Sequence, residues 1–312
     1  MQSLLDAELL QLSLDGAIRG LLYAALGAGL ALVIGVTTRF HFAYALTYTV
    51  APYAAYGAFD SLGVPFWPAL GLGLLAAVVL SVVLEAGIYA PVAARAGDRA
   101  MLAVLVTSIG ISTAGVALLQ LLMGTGSLPF YDPSATPTYH QVGDVLTSDF
   151  ALYEAATALA LVVGLALLLA RTGLGRSIKA VRSNPVLAGT LGISIRRVNL
   201  ACFAVAGLIS GACALWYGLI NTVSPTMGDS IVIYGFVVAF LAGTRSSPLR
   251  ALPVGLAVGL LEQYASIWLS LQWTQTTVFV VLAVYLAVLA GRSRWPKVTL
   301  RRPLVQPQVK EA

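Results

Sequence analysis

Runs of about 20 residues with almost no charge recur along this chain, from its second decade to near position 291, and that recurrence constrains the fold more than any motif does. Each run is long enough to cross a bilayer as a helix, which rises ~1.5 Å per residue against a hydrocarbon core of ~30 Å. Helices are expected because lipid offers no partner to a free backbone amide. Only 10% of the residues are charged and 59% are hydrophobic, whereas a soluble domain carries roughly 25% charge. The expected fold class is therefore all-α, a polytopic transmembrane helix bundle of about 8–10 spans, in a single transmembrane domain over 1–291 followed by a basic tail at 292–312. We place nine spans at 16–36, 42–59, 67–90, 101–123, 151–170, 198–222, 230–244, 251–270 and 274–291. The second contains Pro52 and Gly57 and the seventh is short, so one or two helices are expected to be broken or abbreviated, as helices lining a cavity at membrane depth are.

Charge sets the expected orientation. With the N-terminus outside and the C-terminus inside, 17 of the 18 Lys and Arg residues fall on the inner side and only Arg19 falls outside, while 9 of the 13 acids fall outside. Basic residues in short loops stay on the cytoplasmic side. The two largest loops are then an acidic outer loop at 124–150 and a basic cytoplasmic loop at 171–197. The basic balance of the chain is accounted for by this topology, and nucleic acid is not an expected partner. The start, "MQSLLDAELLQLSLDG", lacks a basic leader segment, so the first span is expected to serve as the insertion signal.

Several chemistries have no support. No Gly-x-x-x-x-Gly-Lys-Ser/Thr loop is present for phosphate binding. His41 and His140 stand alone, without a Cys/His cluster for a metal, and no nucleophile–base set or His-Glu-x-x-His pattern occurs. Cys202 and Cys213 share one apolar run, where eleven residues of helix rise about 16 Å, so they read as packing residues. Two acids interrupt apolar runs. Glu85, near the inner end of its span, is expected to pair with Arg95 or Arg99; Glu262, mid-span beside Gln263, is a candidate pathway or intersubunit contact, because charges inside spans face protein or an aqueous path. The pairs Gly16/Gly20, Gly207/Gly211 and Gly255/Gly259 have the spacing that lets helix backbones approach closely, and "GLGLL" at 71–75 reads similarly.

The cytoplasmic loop holds the most specific local signal. In "TGLGRSIKAVRSNPVLAGTLGISIRR", Ser183 or Asn184 can cap a helix, Pro185 suits its first position, and Gly192 suits its end. Val186, Leu187 and Leu191 would form an apolar stripe on a helix of about eight residues. So short a helix is marginal alone and needs a surface to pack against.

This stretch resembles the cytoplasmic loop and following helix of branched-chain amino acid ABC-transporter permeases of the LivH type. Gly175, Arg176, Ala180, Val181, Pro185, Ala188, Leu191, Gly192, Ile193, Arg197 and Val198 match. The resemblance extends to a Thr-x-x-Gly helix at Thr107 and Gly110, to Glu85, Tyr89 and Pro91, to a Pro-x-x-Gly turn at Pro225 and Gly228, and to the Gly-rich helix ending at Glu262. The family's Asn-Phe-Ala-His-Gly is "HFAYA" here, with Phe42 and Ala43 retained.

The resemblance implies a coupling helix, carried by Ser183, Asn184, Pro185, Leu187, Ala188, Gly189, Leu191 and Gly192, that docks into an ATP-hydrolysing subunit. It further implies two ATP-binding subunits, a second homologous permease (LivM-like) or a copy of this chain, a periplasmic or extracellular substrate-binding protein, and a multi-pass location in the bacterial inner membrane. Phe42, Thr107, Pro225 and Glu262 are the candidate pathway or intersubunit residues. No cofactor is expected in this chain, ATP and Mg residing on the partners, and no catalytic role is expected. The expected solutes are branched-chain or other small hydrophobic amino acids or related organic acids. The rival expectation is a self-sufficient, ion-coupled secondary transporter of small organic solutes.

Overall fold

A computed structural model describes residues 2–130, 136–142 and 145–269, with six isolated positions between 273 and 284. The ninth expected span, 274–291, lies outside the described residues apart from those isolated positions, and the tail at 292–312 lies wholly outside them. Helices dominate: α1 (Gln2–Thr37), α2 (Tyr44–Asp60), α3 (Phe66–Val83), α4 (Ala90–Ala96), α5 (Ala100–Met123), α6 (Asp149–Arg171), α7 (Gly173–Ser183), α8 (Pro185–Thr190), α9 (Ile195–Ile220), α10 (Met227–Ala242) and α11 (Ala251–Trp268). Four helical stretches, Glu8–Thr37, Phe66–Met123, Asp149–Arg171 and Ile195–Ile220, are long and apolar enough to cross a membrane by length and composition. The bundle is all-α and polytopic apart from one small hairpin.

The Phe66–Met123 stretch doubles back. A single turn of π-helix at Leu84–Tyr89 joins α3 to α4, and Gly97, in the left-handed region at φ +53°, opens the 3-10 turn Gly97–Arg99 that leads into α5. Both free ends of this hairpin meet the C-terminal end of α2: Phe59 packs edge-on to Phe66, and Met123 lies beside Gly57. The expected break in the second span is absent. Pro52 sits inside a continuous α2, and the irregular turn falls instead at Leu84–Tyr89 in the third span. α2 and α10 are short, at 17 and 16 residues.

At the centre, α1 is apolar around its whole circumference from Leu22 to Val36 and is buried by α6, α9, α10 and α11, as an all-round apolar helix must be. Its two small-residue notches meet those of α11. A methyl group at Gly20 would stand 2.7 Å from Leu256 Cα, and one at Gly255 would stand 2.5 Å from the Gly20 carbonyl oxygen. Gly207 and Gly211 likewise admit α3, where Ser81 donates a 2.7 Å hydrogen bond to the Phe203 carbonyl. Gly73 packs against Ala55, whereas Gly71 faces open space, so only half of "GLGLL" is a packing notch.

The helix ends sort by charge. The turns holding Arg39, Arg95, Arg99, Arg171–Arg197, Arg245 and Arg250 share one end, and the helix ends holding Asp60, Asp149 and Asp229 share the other. At the acidic end, strands β1 (Tyr139–Val142) and β2 (Val145–Ser148) pair antiparallel with Tyr139 opposite Ser148. α1 begins at Gln2, well before the expected start of its span. Gln11 explains how the extension is held: its side chain donates to the Leu146 carbonyl (3.0 Å) and accepts from the Leu146 amide (2.8 Å), tying the helix to β2.

Candidate functional site

Three successive caps build the α7–α8–α9 segment at the basic end. Thr172 Oγ1 accepts from the Gly175 amide (3.0 Å), Asn184 Oδ1 from the Leu187 amide (3.0 Å), and Ser194 Oγ from the Arg197 amide (3.4 Å). Each satisfies an amide that the first turn of its helix leaves without a partner. Asn184, not Ser183, is thus the cap of α8, and Pro185 fills the first position, where a missing N–H is harmless. α8 ends at Thr190, shorter than the eight residues expected. Gly192 takes a left-handed conformation (φ +82°), and the Ile193 amide donates back to the Ala188 carbonyl (3.0 Å), the closure that stops a helix.

α7 is amphipathic. Ile178 and Val181 are buried, and Gly175 lies against the backbone of Leu168 and Leu169 in α6, where any side chain would collide. Arg182 donates a 2.6 Å hydrogen bond to the Arg245 carbonyl, reaching the turn between α10 and α11. In α8 only Ala188 is buried; Gly189 lies beside Ile195. Val186 (76%), Leu187 (57%) and Leu191 (73%) stand exposed among exposed Arg176, Lys179, Arg196 and Arg197. Held firmly from behind, this apolar stripe has no cover among the described residues.

A second feature is a cleft of about 420 Å³ between the start of α2, α5 and α10. Phe42 and Phe236 stack across one end with ring centroids 4.7 Å apart, and Asp229 and Gln120 stand toward the acidic end. Ser112 and Thr113 add hydroxyls to an otherwise apolar lining. On α10, Gly228 approaches the Ala45 carbonyl too closely for any side chain, and its amide donates to Thr49 Oγ1 (3.2 Å). Buried Pro225 shapes the turn that delivers it.

The remaining sequence candidates are not gathered into one site. Phe42 lines the cleft. Thr107 does not; it is half-buried and donates to the Ala103 carbonyl of its own helix (2.7 Å). Pro225 lies in the α9–α10 turn. Glu262, on α11, does not line the cleft; it accepts a 2.6 Å hydrogen bond from the Tyr23 hydroxyl, with Arg19 at 4.0 Å. Glu85 does not pair with Arg95 or Arg99, both of which are exposed. Thr38, left-handed at φ +54°, turns the chain out of α1 so that Arg39 comes inward and pairs with the buried Glu85. Next to it, His41 is fully buried, with Nδ1 3.1 Å from the Tyr89 hydroxyl.

Sequence reasoning passed over Asp229, Gln120 and Phe236 in the cleft and Glu154 near the acidic end. The cleft left one signal: Ile109, Ser112, Thr113, Val116 and Gln120 recur at helical spacing along α5, the stripe of one helix face. Among the described residues, no group of three or more His, Cys, Asp or Glu side chains is placed to hold a metal ion.

Residues 12–289 match the family described as "Branched-chain amino acid transport system / permease component". The chain is 27% identical over 318 aligned residues to the high-affinity branched-chain amino acid transport system permease protein LivH of Escherichia coli K12, covering 95% of this chain and 97% of that protein. It is 25% identical over 293 residues to BraD of Pseudomonas aeruginosa, a permease protein of the same description, covering 89% and 92%. A shorter stretch of 107 residues, 33% of this chain and 29% of the other, is 36% identical to the nucleoside ABC transporter permease protein NupB of Lactococcus lactis. With a capped helix presented from a helical membrane bundle and a family match over nearly its whole length, this chain belongs to the permease-component family of branched-chain amino acid transport systems.

Proposed function

We propose that this chain is the membrane-spanning permease subunit of an ABC importer in the bacterial inner membrane, moving branched-chain or similar small hydrophobic amino acids. Two ATP-binding subunits, carrying ATP and Mg, sit at its basic, cytoplasmic end. A substrate-binding protein delivers solute at the acidic end, and a second permease, homologous or identical, completes the path. The observation that carries this reading is α8, an apolar stripe of Val186, Leu187 and Leu191 that is exposed yet fixed by a cap at each side. A stripe of this kind on a basic, cytoplasmic surface suits a protein partner.

The chain's own part is mechanical. A displacement of α8 passes through Asn184 into α7, from α7 into α6 across the Gly175 backbone contact, and into the α10–α11 turn through Arg182. That turn ends α10, whose Phe236 stacks on Phe42 in the cleft between α2, α5 and α10. The cleft is the candidate path for an aliphatic side chain, and its aromatic pair lies where a gate would open and close. Partner-bound ATP drives the switch only by binding one arrangement of these elements more tightly than the other.

The test is Leu187→Glu in the assembled transporter. Leu187 is exposed, so the bundle has no reason to unfold, but a carboxylate buried at the contact without a partner would cost several kcal/mol. Normal membrane insertion is expected, with several-fold less ATP-binding subunit co-purifying and solute-stimulated hydrolysis falling toward its basal rate. Full association and full stimulation would overturn the assignment of α8.

A further inference from the structure

A separate pocket of about 230 Å³ opens near the acidic end, between α1, α6, α9 and α11. Arg19, Glu154, Asp15, Tyr217, Asn221 and Gln263 line it together with an aliphatic wall that includes Ile18 and Ile220. Its charges are not equally engaged. Asp15 accepts both of its hydrogen bonds from Gln11 Nε2, each 3.1 Å. Arg19 reaches only to 4.0 Å from Glu262, beyond hydrogen-bond distance, and its side chain stays 41% exposed. Glu154 is 6% exposed, and its Oε1 is buried with no hydrogen-bond partner among the described residues. An unpaired buried carboxylate is costly, and buried polar atoms left without partners are few in folded proteins. The pocket thus offers one unsatisfied acceptor, one guanidinium with free donors, and an apolar wall.

We propose that this pocket binds a small zwitterion, its primary ammonium on Glu154 and its anionic oxygens on Arg19, with an aliphatic portion against Ile18 and Ile220. A free amino acid with a short aliphatic side chain has this chemistry, and so does the phosphoethanolamine headgroup of a membrane lipid. The volume is below the ~300–1,000 Å³ of sites for drug-sized ligands, which suits a group of this size. The inference stands on the pocket's own charges and does not require the permease reading; a chain that failed the Leu187 test would still carry this site.

The experiment uses the full chain in nanodiscs of phosphatidylcholine alone, whose quaternary ammonium has no N–H to donate. One arm measures binding of radiolabelled L-leucine. The other measures retention of phosphatidylethanolamine by native mass spectrometry after its addition to the same discs. Glu154→Gln and Arg19→Gln are each expected to weaken whichever ligand binds by roughly ten- to a hundredfold, the loss of a charge-assisted contact. Probes on the unmutated chain give an answer independent of folding. Isoamylamine, which lacks the carboxylate, and 4-methylpentanoate, which lacks the ammonium, should each compete at least tenfold more weakly than leucine if the amino acid is the ligand. Saturable, Glu154-dependent binding in the leucine arm assigns the pocket to an amino acid, and in the lipid arm to a headgroup. No saturable binding in either arm, or binding that both variants leave unchanged, overturns the proposal.

Discussion

The Tyr23 hydroxyl donates a 2.6 Å hydrogen bond to the carboxylate of Glu262, 239 residues further along the chain. It joins the middle of α1 to α11 alongside the glycine notches where the two antiparallel backbones meet, and it turns the acid of an apolar span into a helix-to-helix tie. Tyr23→Phe removes this donor and leaves Arg19, at 4.0 Å, and the neighbouring Tyr234 hydroxyl. We expect a loss of about 1–3 kcal/mol, read as a lower thermal midpoint of the purified protein. Glu262→Gln keeps an acceptor without the charge and should cost less. A Glu262→Gln protein less stable than Tyr23→Phe would contradict this account.

Glycine positions that look alike in sequence should behave differently. Gly20→Ala forces a methyl group to 2.7 Å from Leu256 Cα, backbone that cannot move aside, and overpacking of this kind costs about 1–3 kcal/mol. Gly71→Ala meets nothing within 4 Å and gains helix propensity, so it should be neutral or mildly stabilising. Thermal midpoints measured side by side decide it; equal shifts would mean that α1 and α11 are not packed through these notches.

Arg39 and Glu85 form a largely buried ion pair between the α1–α2 link and the π-turn. Removing one partner of such a pair costs roughly 3–5 kcal/mol, while removing both costs less. Glu85→Ala should therefore destabilise more than the Arg39→Gln/Glu85→Gln double variant. Arg95→Gln and Arg99→Gln, at exposed positions, should leave the melting curve unchanged. Destabilisation by either of these last two would restore them as partners of Glu85.

Orientation is open to chemical labelling. Cys202 and Cys213 are buried and give little background. In intact cells, a cysteine at Tyr139, on the exposed β1 strand, should react with an impermeant maleimide, and one at Asp98, in the exposed Gly97–Arg99 turn, should react only after the membrane is opened. The reverse pattern would turn the bundle over and move the proposed ATPase contact to the wrong side.

What the sequence alone determined is what depends on neighbours a few residues apart or on a bulk property of a long window. Apolar runs declared a helical membrane bundle because lipid permits little else. A cap at Ser183 or Asn184, with Pro185 and Gly192, declared α8 because capping is settled within about one turn, and the structure chose Asn184. The glycine pairs announced close packing by their spacing alone. Only the tertiary structure decided the partners. Gly16 and Gly20 could have met any helix, and they meet Gly255 and Gly259. Glu85 has Arg95 ten residues away and takes Arg39 instead, because one left-handed residue at Thr38 redirects the chain. The α2–α5–α10 cleft and the Glu154 pocket were hidden for the same reason. Each collects side chains from three or more helices, and periodicity along one helix shows which face is apolar, never which other helix that face will meet.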